Sequence, residues 1–177
     1  MRRRDVITLI GGAVATWPLA ARAEQPVEAR YVRAFGQIKR DYGKISHPSE
    51  AARSDYITRL VRLREEGVRL RHFTWQAIDT EIRQHPAPND SEALSSLLVG
   101  KWESPRHDYL YRADGTWTML PEDPDTTHGT WRIEGNQYFD TATIDPAGTR
   151  RYTIILITKQ IFVFTDQEVV FYEKRLK

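Results

Sequence analysis

No cysteine occurs among the 177 residues, which excludes a disulfide scaffold, a thiol nucleophile, thiolate zinc and iron–sulfur chemistry. Charge of one sign is also lacking: 26 basic side chains stand against 24 acidic ones. The whole-chain pI near 8.9 is therefore a thin argument for an anionic partner. No apolar run reaches the roughly 20 residues that span a bilayer. Val6 to Ala20 comes nearest, and Gly11, Gly12 and Pro18 interrupt it. G-x-S-x-G, H-E-x-x-H and P-loop patterns are missing, and the five His are spread with no second His at helical ligand spacing. What is present is 40% hydrophobic residues, five Trp and eight Tyr, enough to build a core and to exclude wholesale disorder. The length predicts one domain, or one domain with an appendage.

The opening MRRRDVITLIGGAVATWPLAARAEQP has the three parts of an export signal. Arg2, Arg3 and Arg4 form a basic segment, Val6 to Ala20 an apolar one, and Ala21-Arg22-Ala23 a small-residue cleavage site. Arg3-Arg4-Asp5 followed by Val6 and Ile7 resembles a bacterial twin-arginine (Tat) signal; an ordinary secretory signal is the alternative. The resemblance implies cleavage after residue 23, a chain starting at about Glu24, and a periplasmic or secreted location. Residues 1–23 hold four Arg and one Asp, so the remaining chain carries 22 basic and 23 acidic groups. A nucleic-acid-seeking protein then has no electrostatic support, and no membrane span is expected once the signal is removed.

Residues 24–97 read as helical. Tyr31, Ala34, Phe35, Ile38, Tyr42 and Ile45 recur at steps of three and four, and Gly43 with His47-Pro48 ends that segment. A second helix is expected from Ser49 to Glu66, stopped by Gly67. A third is expected from an N-cap at Thr74 with a Phe73–Ile78 staple, and a short one at Ser91–Leu97. His85 to Asp90, HPAPND, reads as a linker. The second helix carries Arg53, Arg59, Arg62 and Arg64, with Arg69 and Arg71 beyond it. These form either a patch for anionic lipid or polymer of the envelope or a solvated, partly paired face.

From residue 98 to 177 the pattern changes to eight short β-rich runs joined by short connections such as Asp114-Gly115, Gly135-Asn136 and Lys159-Gln160. Short links demand antiparallel neighbours. The fold class is therefore α+β: N-terminal helices followed by an antiparallel β-meander, closing as an eight-stranded barrel or a strongly coiled sheet. YTIILI and IFVF are apolar on both faces, so the helices must cover their outer side. Gly-x-Trp recurs at Gly100, Gly115 and Gly129, either as a strand–turn rhythm or by coincidence. Leu98-x-Gly100-x-Trp102, then Tyr111-x-x-Asp114-Gly115-Thr116, then Gly129-Thr130-Trp131 with Gly135, resemble the small lipocalin-like domains of bacterial secreted proteins. That resemblance covers about 80 residues and implies a barrel with an aromatic interior.

A lipocalin-like domain implies a non-catalytic binding or interaction module, whose partner is a small apolar ligand or an envelope protein. Candidate ligand-binding residues are Trp102, Tyr109, Tyr111, Trp117 and Trp131; the same residues serve equally as a packed aromatic core. An open cavity beneath them would favour a ligand, and a filled interior would remove it. No catalytic residue, cofactor or metal is assigned. Glu122 to His128 offers several oxygens and an imidazole, and Asp123, Asp125, Thr127 and Glu134 mimic calcium-loop spacing, but His128 stands where that loop needs Gly. Two other readings remain: an envelope-associated structural or stress protein using the Arg-rich helix, and a barrel-mouth enzyme using His107 and His128.

Overall fold

The computed structural model describes residues 27–69, 75–122, 125–144 and 148–177. The export-signal segment, the Phe73–Thr74 staple and cap, Arg71 and Asp123 lie outside them. Among the described residues four helices, α1 (Val27–Gly43), α2 (Glu50–Arg69), α3 (Trp75–Arg83) and α4 (Ser91–Leu98), precede eight strands. These are β1 (Gly100–Glu103), β2 (Asp108–Tyr111), β3 (Thr116–Leu120), β4 (His128–Glu134), β5 (Gln137–Ala142), β6 (Thr149–Ile157), β7 (Ile161–Thr165) and β8 (Val170–Arg175). The strands pair antiparallel in sequence order, and β1 pairs with β8, so the sheet closes into a barrel. Closure removes both sheet edges.

Alternation along the strands sorts the side chains into two cores. Trp102, Tyr111, Trp117, Trp131, Ile133, Tyr138, Ile154, Phe162 and Phe164 fill the barrel. Ile155, Leu156, Val163 and Val170 face outward and join Ile57, Leu60, Val61, Ile78 and Ile82 of the helices in a second cluster. In β7 this is simple alternation: Phe162 and Phe164 point in, Val163 points out. In β6 the register shifts between Ile154 and Leu156, a bulge that turns two consecutive residues, Ile155 and Leu156, toward the helices. The doubly apolar strands thus have the helical cover that their composition demands.

Gly67 does not stop the second helix, as the sequence suggested. α2 continues to Arg69 with Gly67 buried, its Cα facing the ring of Tyr31 and the Cβ of Trp75 at 3.8 and 3.9 Å from where a Cβ would stand. The space there is shared with two aromatic residues, and that packing outweighs glycine's poor propensity. At its start Ser49 Oγ accepts from the Ala52 amide at 3.2 Å, a side-chain cap.

The expected linker is pinned rather than free. The Ala87 amide donates to Ile154 O at 2.8 Å and Asn136 Nδ2 donates to Ala87 O at 3.0 Å. These bonds deliver α4 to one end of the barrel, where the Gly135 amide donates to Ser91 Oγ at 2.6 Å and Leu94 and Leu98 enter the barrel core. Arg175 completes the closure: its guanidinium donates to Leu97 O and Val99 O at 2.5 and 2.6 Å and lies 4.2 Å from the ring of Trp102. Gly100, at φ 138°, leaves the room that this guanidinium occupies.

Arg64 of α2 and Asp79 of α3 form a buried two-point ion pair, the second contact at 3.1 Å, beside Tyr172 of β8. Removing one partner strands a buried charge. Asp79→Ala is expected to lower unfolding free energy by roughly 3–5 kcal/mol in urea titration. The double replacement Arg64→Met with Asp79→Leu should recover most of that loss.

Candidate functional site

Among the described residues, polar chemistry that the fold does not consume gathers in the barrel interior around Glu173 and in a groove on the outer wall lined by Trp117.

All five sequence-derived candidates point into the barrel. Tyr109, Tyr111, Trp117 and Trp131 form a chain of ring contacts, with centroids 5.7 Å (Tyr109–Trp117), 6.2 Å (Tyr109–Tyr111) and 6.3 Å (Tyr111–Trp131) apart. These are the separations of edge-to-face and tilted aromatic packing. Trp102 stands apart from them at the α4 end, against Phe162 and Arg175. The rings therefore pack on one another, and of the five only Trp117 borders an open groove.

Among these rings lies a carboxyl the sequence reading did not single out. Glu173 of β8 is 4% exposed; Phe171, Glu173 and Arg175 share the inner face, so it projects into the barrel. One of its oxygens accepts from Tyr111 Oη at 3.3 Å, and Tyr138 Oη donates to Tyr111 Oη at 3.4 Å. The other oxygen, Oε2, has no hydrogen-bond partner. Burial pushes the carboxyl up to about 8; the Tyr111 hydroxyl opposes the rise, and the charge of Asp140 adds to it. Burial likewise holds the Tyr111 and Tyr138 hydroxyls well above the usual phenol range. Arg175, two residues along, is engaged by Leu97 O and Val99 O. Glu173 is accordingly a neutral acid at neutral pH. The available signal was a Glu between Phe171 and Arg175 on the inward phase of the closing strand.

The outer groove, about 440 Å³, runs over β3, β4 and β5. The register puts Thr116 opposite Thr130, Thr130 opposite Thr141 and Thr141 opposite Thr149, a row of threonines on the outer face across four strands. Such pairs favour the sheet itself, but Thr116, Thr130 and Thr141 also line the groove, with Thr118, Thr126 and Thr143. Most of the lining threonines have committed their hydroxyl protons. Thr116 Oγ1 donates to Asp114 at 2.7 Å, Thr118 Oγ1 to Met119 O at 3.3 Å, and Thr143 Oγ1 to His128 O at 2.8 Å. Their oxygens remain as acceptors. Arg112, paired with Glu122 at 2.8 Å, and His128 stand on the same walls.

Gly129 lines this groove. A Cβ there would meet Thr141 O at 1.9 Å and Trp117 Nε1 at 2.8 Å, so only glycine lets the indole edge reach the wall. Trp102 Nε1 donates to Leu98 O at 2.7 Å, and Trp131 Nε1 to Thr116 O at 3.0 Å and Arg112 O at 3.1 Å. Trp117 Nε1, in a residue 5% exposed, has no partner. A buried unpartnered donor costs about 1–3 kcal/mol.

His107 and His128 are both exposed. His128 Nδ1 meets Thr126 O at 3.1 Å, and neither imidazole has a carboxylate partner among the described residues. Glu134 of the calcium-like spacing pairs with Arg132 at 2.7 Å in β4. Among the described residues no cluster of His, Asp and Glu is placed to hold a metal. The arginines of α2 diverge: Arg53 donates to Ile155 O and His85 O, Arg59 pairs with Asp41, Arg64 is buried with Asp79, and Arg62 alone of these four remains exposed without a partner.

Because Glu173 rises from 4.5 in the unfolded chain to about 8, the folded state holds a proton that the unfolded state releases between those values. Stability is then greatest below pH 4.5 as far as this group is concerned. It falls as pH rises to about 8, at up to about 1.4 kcal/mol per pH unit. Urea titrations across that window should show the decline, and Glu173→Gln should flatten it. An unchanged slope in the variant contradicts the assignment.

Comparison with known protein families, with curated proteins and with solved structures finds no match to this chain.

Proposed function

We propose that this chain is an exported, non-catalytic binding module: a helix-plugged, lipocalin-like barrel that takes a small polyhydroxylated ligand, such as a saccharide, in the groove above Trp117. The observation that carries the reading is the buried, unpartnered indole N–H of Trp117, a residue that lines that groove. A buried donor left unsatisfied costs free energy. A ligand oxygen accepting from the indole supplies the missing bond.

The walls define the rest of the ligand. Thr116, Thr118 and Thr143 have given their protons to protein acceptors, so they present oxygen. A ligand that accepts one hydrogen bond from the indole and donates several at the walls is a polyol. Arg112 and Glu122 neutralise each other, which fits an uncharged ligand. This chemistry favours a polar molecule over the small apolar ligand suggested by the aromatic interior, since the inner rings pack mainly against one another. The volume of about 440 Å³ lies within the usual range of small-molecule sites. Export to the periplasm or beyond is supported by the basic, apolar and small-residue succession in residues 1–23, and a Tat route by Arg3-Arg4.

The indole ¹⁵N–¹H resonance of Trp117, assigned by its loss in Trp117→Phe, reports directly on that donor. Titration with glucose or N-acetylglucosamine should shift it downfield, while decanoate should leave it in place. Thr130→Val, an exposed substitution that keeps β-branching, should weaken sugar binding by roughly fivefold, near 1 kcal/mol, with the melting temperature unchanged. A shift with decanoate alone would return the ligand to the apolar class, and no shift with any probe would remove the groove from consideration.

Gly129→Ala gives a second check. Its methyl meets a strand carbonyl and the indole edge, so unfolding free energy should drop by roughly 1–3 kcal/mol, and the Trp117 resonance should move without ligand.

A further inference from the structure

The second groove of the molecule, about 490 Å³, lies on a different face, between α2 and the β6–β7 connection. Ile161 supplies its exposed apolar surface, Val61 being fully buried, and Ser54, Thr58, Thr158 and Gln160 complete the uncharged lining. Three cations and one anion line it: Arg62, Lys159, Lys174 and Glu65. Lys174 Nζ is 2.7 Å from Glu65 Oε1, so that pair is internally neutral. Arg62 and Lys159, both exposed, have no carboxylate partner among the described residues. They stand on opposite walls, one on the helix and one on the strand connection.

The placement of Arg62 contrasts with its neighbours. Arg53, Arg59 and Arg64 of the same helix are spent on backbone carbonyls, Asp41 and Asp79. The chain beyond the export segment is close to electrical neutrality, so two uncompensated positive charges facing one concavity are a local departure from the rest of the surface. Cations converging on a concave site from two elements attract an anion more strongly than either does alone. The guanidinium fork matches an oxyanion bearing several oxygens, and the ammonium adds a point charge.

We infer that this groove is a binding site for a phosphate-bearing amphiphile, with the phosphate between Arg62 and Lys159 and the apolar part of the molecule on Ile161. The volume is in the range of pockets for small organic ligands, and Ile161 gives the ester portion a surface that an inorganic ion does not use. The phosphate belongs either to a soluble ester or to a lipid headgroup. This site shares no residue with the groove above Trp117, so the two stand or fall separately.

The full chain is titrated at low salt with inorganic phosphate, hexyl phosphate and vesicles of phosphatidylglycerol, with phosphatidylcholine vesicles as the neutral control. Backbone ¹⁵N shifts of the groove residues and vesicle co-sedimentation are the readouts. Arg62→Gln with Lys159→Gln tests the residues; both side chains are exposed, so the melting temperature should not move. Binding of hexyl phosphate, weakened about tenfold or more (1.4 kcal/mol) by the double substitution and absent for vesicles, identifies a soluble ester. Co-sedimentation with phosphatidylglycerol but not phosphatidylcholine, lost in the double variant, identifies a headgroup. If only inorganic phosphate binds, or no probe does, or the double variant binds as tightly as its parent, the assignment is overturned.

Discussion

The bulge at Ile154–Leu156 is the constraint on which the two halves of the molecule depend. A strand in strict alternation offers every second side chain to each face. β6 breaks that rule where the helices need it, sending Ile155 and Leu156 outward together while Ile154 and Ile157 stay in the barrel. The outer wall thereby gains an apolar patch broad enough to seat α2 and α3, with Val163 and Val170 extending it. The same stretch also accepts the Arg53 guanidinium on Ile155 O and the Ala87 amide on Ile154 O. One irregularity in the sheet thus fixes the helical layer, the segment leading into α4, and through α4 the closed end of the barrel.

With that end closed, unusual polar groups are confined to particular places. Glu173 and Trp117 each keep one buried polar atom without a partner, yet their consequences differ. Glu173 escapes most of the cost by holding its proton, since a neutral acid among rings is far cheaper than a carboxylate. An indole N–H has no such route, because it cannot change protonation at any accessible pH. Its cost is removed only by an acceptor. That asymmetry is why the groove above Trp117 carries a functional reading while the interior carboxyl carries a pH dependence of stability.

Much of the architecture was legible because it rests on local pattern. Alternation in IFVF and the short turns at Gly115 and Gly135 imply antiparallel strands, and doubly apolar strands imply helical cover. The three Gly-x-Trp triplets were legible as strand rhythm, and all three Trp do point inward, but their glycines do different work. Gly100 makes room for Arg175, Gly115 sits in a turn at φ 83°, and Gly129 lets the Trp117 edge lie against the wall. None of that follows from the triplet, since each depends on residues 12 to 75 positions away: Trp117, Trp131, Thr141 and Arg175. Gly67 misled for the same reason, its environment being set by Tyr31 and Trp75 rather than by its neighbours in α2. The grooves were illegible because concavity is a property of contacts across the sheet.

The arginines of α2 show how the same limit applies to function. Read along the chain, Arg53, Arg59, Arg62 and Arg64 suggest one basic face for an envelope polymer. Successive positions on a helix turn by about 100°, and the surroundings of each differ: a strand carbonyl, a carboxylate of α1, the groove, and a buried aspartate. Three of the four charges are absorbed by the protein's own acceptors. A patch that looks like four charges in sequence is one charge in space, and its meaning changes with the company it keeps. Beside Lys159 and Ile161, Arg62 marks a site sized for a single headgroup or ester rather than a polymer-binding surface.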